Sequence, residues 1–320
     1  MAPLGYVAAL NKALLDEMAN DERVCVFGED VQVGLTGITK GLAEAYGTGR
    51  VVDTPLSEQA FTSLATGAAI AGQRPVVEFQ IPSLLYLVFE QIANQAHKFS
   101  LMTGGQASVP VTYLVPGSGS RSGMAGQHSD HPYSLFAHVG VKTVVPATPS
   151  DAYGLLLSAL REPDPVVVFA PTLLMGAAEE LDGDPVAVPL GSARVHREGT
   201  DVTVVAVGHL LPIALQVAAE LEAEASIEVI DPRTVYPVDW VTLGESIAKT
   251  GRLVVIDDSN RMCGFGAEIA ATAAEEFALT VPPKRLSRPD GAVIPYALAL
   301  DHALLPNAAQ LTDAIRAVLK

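Results

Sequence analysis

Basic residues are scarce in this chain: 20 lysines and arginines face 36 aspartates and glutamates over 320 residues, for a net charge of −16 at neutral pH. Nucleic acid demands a basic face to displace its counterions, and anionic membrane attracts basic clusters, so neither is an expected partner. Cysteine is nearly absent. Cys25 and Cys263 stand far apart, with neither the spacing of a zinc site nor the density of a disulfide framework. Two reduced thiols fit a cytoplasmic protein. Long hydrophobic runs are missing as well. The longest, "VTVVAVGHLLPIAL" from Val202, is cut by Gly208, His209 and Pro212 and is too short for a bilayer. The stretch Tyr6 to Asn20 spaces its apolar residues as an amphipathic helix, so neither a signal nor a membrane segment is expected. Charge of either sign is thin, at 18% against 49% hydrophobic residues. That surplus reads as surface meant for subunit contacts, with a single large core as the alternative.

What is present is alternation. Val24 to Phe27 reads as a short strand ending in Gly28-Glu29-Asp30, followed by the glycine-rich loop "VGLTGITKG". "RVVDTPLSEQAF" from Arg50 hands a strand to a helix, and "RPVVEFQ" from Arg74 is a buried strand. A long helix is expected from Leu84 to Leu101, with Phe89, Ile92, Ala93 and Ala96 on its inner face. "VPVTYLVP" from Val109 opens into a loop rich in Gly, Ser and His, and "KTVVPA", "PSDAYGLLLSALRE" and "PVVVFAP" continue the series. Valine-rich strands alternating with helices predict a parallel sheet covered on both faces. The pattern dissolves between Gly176 and Gly199 and restarts at "DVTVVAVG". The expected fold is therefore α/β, with two doubly wound domains, 1–178 and 200–320, joined by a linker at 179–199.

Glu58 is the first residue that invites chemistry. One reading has Thr54 capping a helix, Pro55 at its first position and Glu58 complementing the helix dipole. The other notes that strand ends in open α/β sheets line ligand crevices. A carboxylate held there among Phe61, Leu64, Gly67 and Ala68 would gain proton affinity and could share a proton with a ligand nitrogen. From the residues alone both stand. The histidines of "HSDH", His128 and His131, lie in a Gly/Ser loop with no remote third ligand, so no metal site is expected. His138, in an apolar stretch, reads as a structural histidine, whereas His128 suits acid–base work. "GFGAE" at Gly264 lacks the third glycine of a dinucleotide fingerprint and reads as a tight turn. No P-loop, nucleophile elbow or HExxH occurs, so a self-contained catalytic constellation is missing.

Taken together, several segments resemble one family. They are "GEDV" at Gly28, "TKGL" at Thr39, "RVVDTPLSEQ" at Arg50, "GQRPVVEFQ" at Gly72, "QHSDHPYSLFAHVGVKTVVPATPSDAYGLL" at Gln127, "EVIDPRTVYPVD", "KTGRLVVIDD" and "GFGAEIA" at Gly264. In order and over essentially the whole chain, they look like the beta subunit of the thiamine-diphosphate-dependent decarboxylating component of 2-oxo acid dehydrogenase complexes. The resemblance implies an N-terminal pyrimidine-binding transketolase-like domain and a C-terminal transketolase-like domain. It implies that Glu58 hydrogen-bonds a ring nitrogen of the cofactor's aminopyrimidine and so activates the thiazolium carbon. Gln80 matches a position beside the pyrimidine. Glu29 matches an acid behind that glutamate, in a carboxylate relay between paired sites. His128 matches a histidine that assists acyl transfer to a lipoyl group.

Some positions depart from the family pattern. Leu84 stands where an aromatic residue usually packs on the pyrimidine, so the platform is aliphatic or Tyr86 substitutes. The usual "HSQ" reads "HSD". The GDG-then-Asn motif that anchors magnesium and diphosphate belongs to a separate alpha chain, and "DGD" at Asp182 falls in the linker. The resemblance therefore implies half of a shared site. The expected partners are an alpha subunit in an α2β2 assembly, which holds the magnesium, and a lipoyl-bearing acyltransferase; alone, the chain should form a homodimer. A monovalent cation near Glu162 and Asp164 is left open. The alternatives are an acetoin-cleaving relative, a scaffold without activity, and the C-terminal half of a split transketolase. The last would need Arg121, Arg233 or Arg261 to grip a sugar phosphate.

Overall fold

The computed structural model describes residues 3–120 and 123–320. Contacts divide the chain into two units, Met1–Arg121 with Gln127–Leu190, and Ser122–Gly126 with Gly191–Lys320. The stretch 179–199, expected as a linker, is thus shared. Up to Leu190 it belongs to the first unit, and Arg194–Arg197 forms a strand of the second.

In the first unit a two-residue strand, β1 (Leu4–Gly5), leads into α1 (Tyr6–Asn20). Tyr6, Leu10, Leu14 and Met18 recur every four residues and form one buried stripe, which seats the helix in the core. The central strands are β2 (Val24–Gly28), β3 (Val51–Asp53), β4 (Arg74–Glu78), β5 (Thr112–Ser118), β6 (Lys142–Val144) and β7 (Val166–Pro171). Within the unit they run parallel in the order β6-β7-β5-β4-β2-β3. The helices between them are α2 (Leu42–Tyr46), α3 (Glu58–Ile70), α4 (Leu84–Glu90), α5 (His97–Met102), α6 (Tyr133–His138) and α7 (Pro149–Arg161), and β8 (Ala178–Glu179) pairs back onto β1. Thr148 caps α7 by accepting the Asp151 amide at 3.1 Å, with Pro149 at the first helical position.

The expected helix from Leu84 onward is continuous but not uniform. α4 passes into a π-helical stretch, Gln91–Ala96, before α5 resumes the ordinary pitch. Ile92, Ala93 and Ala96 are buried as the pattern requires, and Phe89 meets Phe136 edge-on at 5.4 Å.

The second unit contains β9 (Arg194–Arg197), β10 (Val202–Ala206), α8 (Leu211–Glu220), β11 (Ile227–Asp231), β12 (Thr234–Tyr236), α9 (Trp240–Thr250), β13 (Leu253–Asn260), α10 (Phe265–Glu276), β14 (Lys284–Arg288), α11 (Leu298–Leu304) and α12 (Ala308–Leu319). Its sheet is ordered β14-β13-β10-β11-β9 and is parallel except for β9 at one edge. Asn307 closes the start of α12 in a capping box with Gln310. Among the described residues, no helix is long and apolar enough to cross a membrane.

Candidate active site

The order of the first sheet places a crevice. β2 and β4 are neighbours, yet the chain leaving β2 turns to β3 on one side and the chain leaving β4 turns to β5 on the other. Where neighbouring connections part in this way, the carboxyl ends of the strands stand open, and ligands bind there in doubly wound folds. Glu29 follows β2 there, and Glu78 ends β4.

The two strands approach closely at this point. Gly28 is in register with Glu78, and a β-carbon on Gly28 would lie 2.7 Å from the Glu78 carbonyl oxygen. Only glycine fits. Gln80, two residues beyond β4, donates its side-chain amide to the Glu29 carbonyl at 2.7 Å, tying the two strand ends together.

Glu58 is the first residue of α3 and is half-buried. The helix start differs from the expected one. Pro55 and Thr54 lie outside it, the Thr54 hydroxyl is buried without a partner, and the Ser57 hydroxyl bonds back to the Pro55 carbonyl at 3.0 Å instead of capping. Glu58 therefore enters the crevice at an uncapped helix N-terminus. Its charge acts on Glu29: burial, then Glu58, then Asp30 raise the Glu29 carboxyl above its ordinary pKa, and Glu29 Oε1 is buried without a partner.

Glu78 was not singled out from the sequence. It is 2% exposed and accepts one hydrogen bond on Oε1, from the Thr36 hydroxyl at 2.8 Å, while Oε2 is buried without a partner. Burial pushes its pKa up to about 7, against the Thr36 bond, which pulls it down. The available signal was an acid closing the valine-rich strand "RPVVE", whose meaning depends on pairing with Gly28, 50 residues earlier. Three carboxyl groups thus belong to the ends of β2 and β4 and the start of α3. Two carry oxygens that the chain leaves unsatisfied, and such atoms in a native fold call for a ligand or a shared proton.

A second cluster adjoins. Leu84 opens α4 and is half-buried, while the Tyr86 ring is half-exposed. The Tyr86 hydroxyl donates to Asp130 Oδ2 at 2.6 Å, and the Ser83 hydroxyl donates to the Gln127 carbonyl. His128 lies between these two attachment points. His131 is buried with its ring edge-on to Tyr133, and Gly119, at φ +82°, leaves room for it, since a β-carbon there would sit 2.2 Å from Nε2. His138, read as a structural histidine in an apolar stretch, is exposed at the end of α6. Two helical positions separate it from buried Phe136, which turns it outward.

The remaining expected positions are accounted for elsewhere. Glu162 and Asp164 both bond the Lys142 ammonium, at 3.0 Å for Asp164. Arg121 lies outside the described residues. The Arg233 backbone N–H donates to Asp231, and Arg261 donates to the Arg285 carbonyl. At "GFGAE" the helix N-terminus is already occupied, because Asp257 accepts the Gly266 amide at 2.9 Å. Cys25 is buried in β2, where burial pushes its thiol up to about 11, and both cysteines are unpaired.

This two-domain fold, with acids gathered at the switch point of its first sheet, is transketolase-like. Residues 2–176 match the transketolase pyrimidine binding domain and 191–311 the transketolase C-terminal domain. A solved chain described as "split gene transketolase, inactive beta4 tetramer" superposes with a TM-score of 0.80 over 97% of this chain and 96% of its own, at 22% identity. The chain belongs, more narrowly, to the beta subunits of 2-oxo acid dehydrogenase E1 components and their relatives, a thiamine-diphosphate-dependent family. It is 42% identical to the 3-methyl-2-oxobutanoate dehydrogenase subunit beta of Mycobacterium tuberculosis, over 99% of this chain and 92% of that one. It is 42% identical to a mitochondrial pyruvate dehydrogenase E1 subunit beta of Oryza sativa, over 97% and 84%. It is also 39% identical to the acetoin:2,6-dichlorophenolindophenol oxidoreductase subunit beta of Bacillus subtilis, over 93% and 92%.

Proposed function

We propose that this chain is the beta half of a thiamine-diphosphate-dependent 2-oxo acid dehydrogenase and supplies the pyrimidine side of a site completed by an alpha subunit. The observation that carries the reading is the trio Glu29, Glu58 and Glu78 at the switch point, with buried carboxylate oxygens left unpartnered. A basic ring nitrogen suits that donor-poor, acid-rich lining, so the residues fit the cofactor's aminopyrimidine. Bound there, thiamine diphosphate supplies the electron sink for decarboxylation.

Glu58 holds the proton that the ring nitrogen shares. Burial raises the Glu29 and Glu78 carboxyls, with the Glu58 charge adding to the rise at Glu29, and so favours their protonated forms. Gln80 fixes the spacing of the two strand ends, and Leu84 offers an apolar face to a ring. His128 delivers a proton to the lipoyl sulfur as the acyl group and two electrons pass from the substrate to the lipoyl disulfide, carbon dioxide having left.

The alpha subunit brings the magnesium and diphosphate contacts, in an α2β2 assembly served by a lipoyl-bearing acyltransferase. Leu56, Leu101 and Met102, all at least 80% exposed, are apolar surface suited to subunit contacts. We place the enzyme in the cytoplasm, where two unpaired thiols remain reduced.

The test is Glu58→Gln, reconstituted with the alpha chain and assayed for decarboxylation with an artificial electron acceptor, on 2-oxo acids and on acetoin. Gln keeps the volume but cannot exchange a full proton, so turnover should fall by ~10² to 10⁴-fold with melting unchanged. A variant that melts lower by about 0.3–1 kcal/mol yet turns over normally would leave Glu58 as a helix-dipole residue only.

A further inference from the structure

Asp130 is the aspartate of "HSD", and Tyr86 is the ring nearest in sequence to Leu84, the aliphatic residue where the resemblance leads one to expect an aromatic; the structure joins the two. The bond from the Tyr86 hydroxyl to Asp130 Oδ2, at 2.6 Å, is charge-assisted and short. Asp130 is a hub. Its Oδ1 accepts the His131 amide at 2.8 Å and its carbonyl accepts the Gly119 amide at 2.6 Å. One residue therefore gathers both ends of the glycine-rich loop, Gly119 at its start and His131 at its finish. On the other side of His128, the Gln127 carbonyl is held by the Ser83 hydroxyl. Ser83 and Tyr86 flank Leu84 at the first turn of α4, so the chain on either side of His128 is fastened to the turn that carries Leu84.

We propose that Tyr86 and Asp130 form a positioning clasp that sets His128 for acyl transfer, the tyrosine serving the histidine loop rather than acting as the cofactor's aromatic platform. The inference rests on the acyl-transfer role of His128 given above. Neither residue touches the reacting atoms; both act through the loop. An aspartate suits the task where a longer side chain would not. Its short stem lets one carboxylate reach the adjacent amide and the phenol at once, and Gly119 at φ +82° lets the loop close without a β-carbon striking His131.

The test uses the reconstituted alpha–beta enzyme carrying Tyr86→Phe, Asp130→Ala, both together, or Asp130→Asn. Each is assayed for decarboxylation with an artificial acceptor and for reductive acylation of a lipoyl domain, with hydrogen exchange followed at the amides of Gly119 and of 127–131. Displacing a positioned group by a fraction of an ångström costs about tenfold or more in rate. Each single variant should therefore lower acyl transfer about tenfold relative to decarboxylation, and the Gly119 and His131 amides should exchange faster. The double variant should be no worse than either single one. Asp130→Asn, which keeps an acceptor, should recover part of the loss. Additive losses, an equal fall in both reactions, or unchanged exchange would overturn the clasp. His128→Ala separates the two ideas: intact acyl transfer in that variant would remove the role of His128, while the exchange rates would still decide whether the clasp holds the loop.

Discussion

The two sheets end in acids, and the acids are treated in opposite ways. In the second unit, Asp257 and Asp258 lie near the end of β13, Asp258 two residues short of it, with their carboxylates satisfied. Asp257 accepts the Ser259 amide and hydroxyl and the Gly266 amide, and Asp258 receives a two-point grip from Arg288 Nε at 2.5 Å and Nη2 at 2.9 Å. Burial holds the neighbouring His209 ring below its ordinary pKa, although its Nε2 lies 3.6 Å from Asp258. In the first unit, Glu29 and Glu78 occupy corresponding strand ends and keep buried oxygens with no donor. A doubly wound sheet offers the same crevice twice. Satisfied carboxylates mark one end as scaffold, and unsatisfied ones mark the other as the candidate site.

That contrast can be tested. Asp258→Ala should have the largest effect on stability, since it strands the Arg288 guanidinium, 4% exposed, without its anion. Removing one partner of a buried pair costs about 3–5 kcal/mol. Denaturant unfolding should show the loss, while turnover per assembled site is retained. If turnover collapses in the folded enzyme instead, the second sheet is more than scaffold.

Glu78→Gln should do the reverse. Glu78 has a folded pKa of about 7, above its ordinary 4.5. The native state therefore favours the protonated form. Its contribution is complete below about pH 4.5 and is lost as pH rises toward 7. Gln removes that dependence, so melting profiles should diverge between pH 5 and 8. At pH 8 the variant should be the more stable by on the order of 2–3 kcal/mol, and turnover should fall. Parallel profiles would mean that Glu78 titrates normally.

Thr36→Val is the mildest change. It deletes the donor that pulls the Glu78 pKa down. The decline should still begin near pH 4.5, but its upper end should move up by less than about one unit, at a cost of about 1–3 kcal/mol for the acceptor left bare. A downward shift would show that the hydroxyl acts elsewhere.

Much of this arrangement was readable in the sequence, and the rest was hidden for definite reasons. Valine-rich β2, β5, β7 and β10 announce themselves because both faces are buried. Edge strands do not: "RVHR" of β9 fell in the presumed linker, and "KRLSR" of β14 carries too few apolar residues to declare itself. Glu29, Glu58, Gln80 and His128 were visible through ordered motifs. Glu78 was not, because its importance lies in register with Gly28. The pairing of Tyr86 with Asp130 joins residues 44 apart in sequence, and no periodicity connects them. The cap at Thr54 is not made because β3 ends at Asp53 and the helix does not begin until Glu58, four residues beyond Thr54.

The π-helical stretch Gln91–Ala96 bears on how this site could change over evolutionary time. Such a stretch is an α-helix holding one residue more than its pitch accommodates, kept in place by the packing around it. Deleting one of those six residues would restore the ordinary ladder and leave α4 and α5 facing as they do now, because the bulge already absorbs the extra residue's turn of about 100°. Ile92 and Ala93 hold the stretch in the core, so Tyr86, on its amino side, would keep its place against Asp130. A single lost codon there would be absorbed within the helix, leaving the tyrosine's bond and every residue of the acid trio in place.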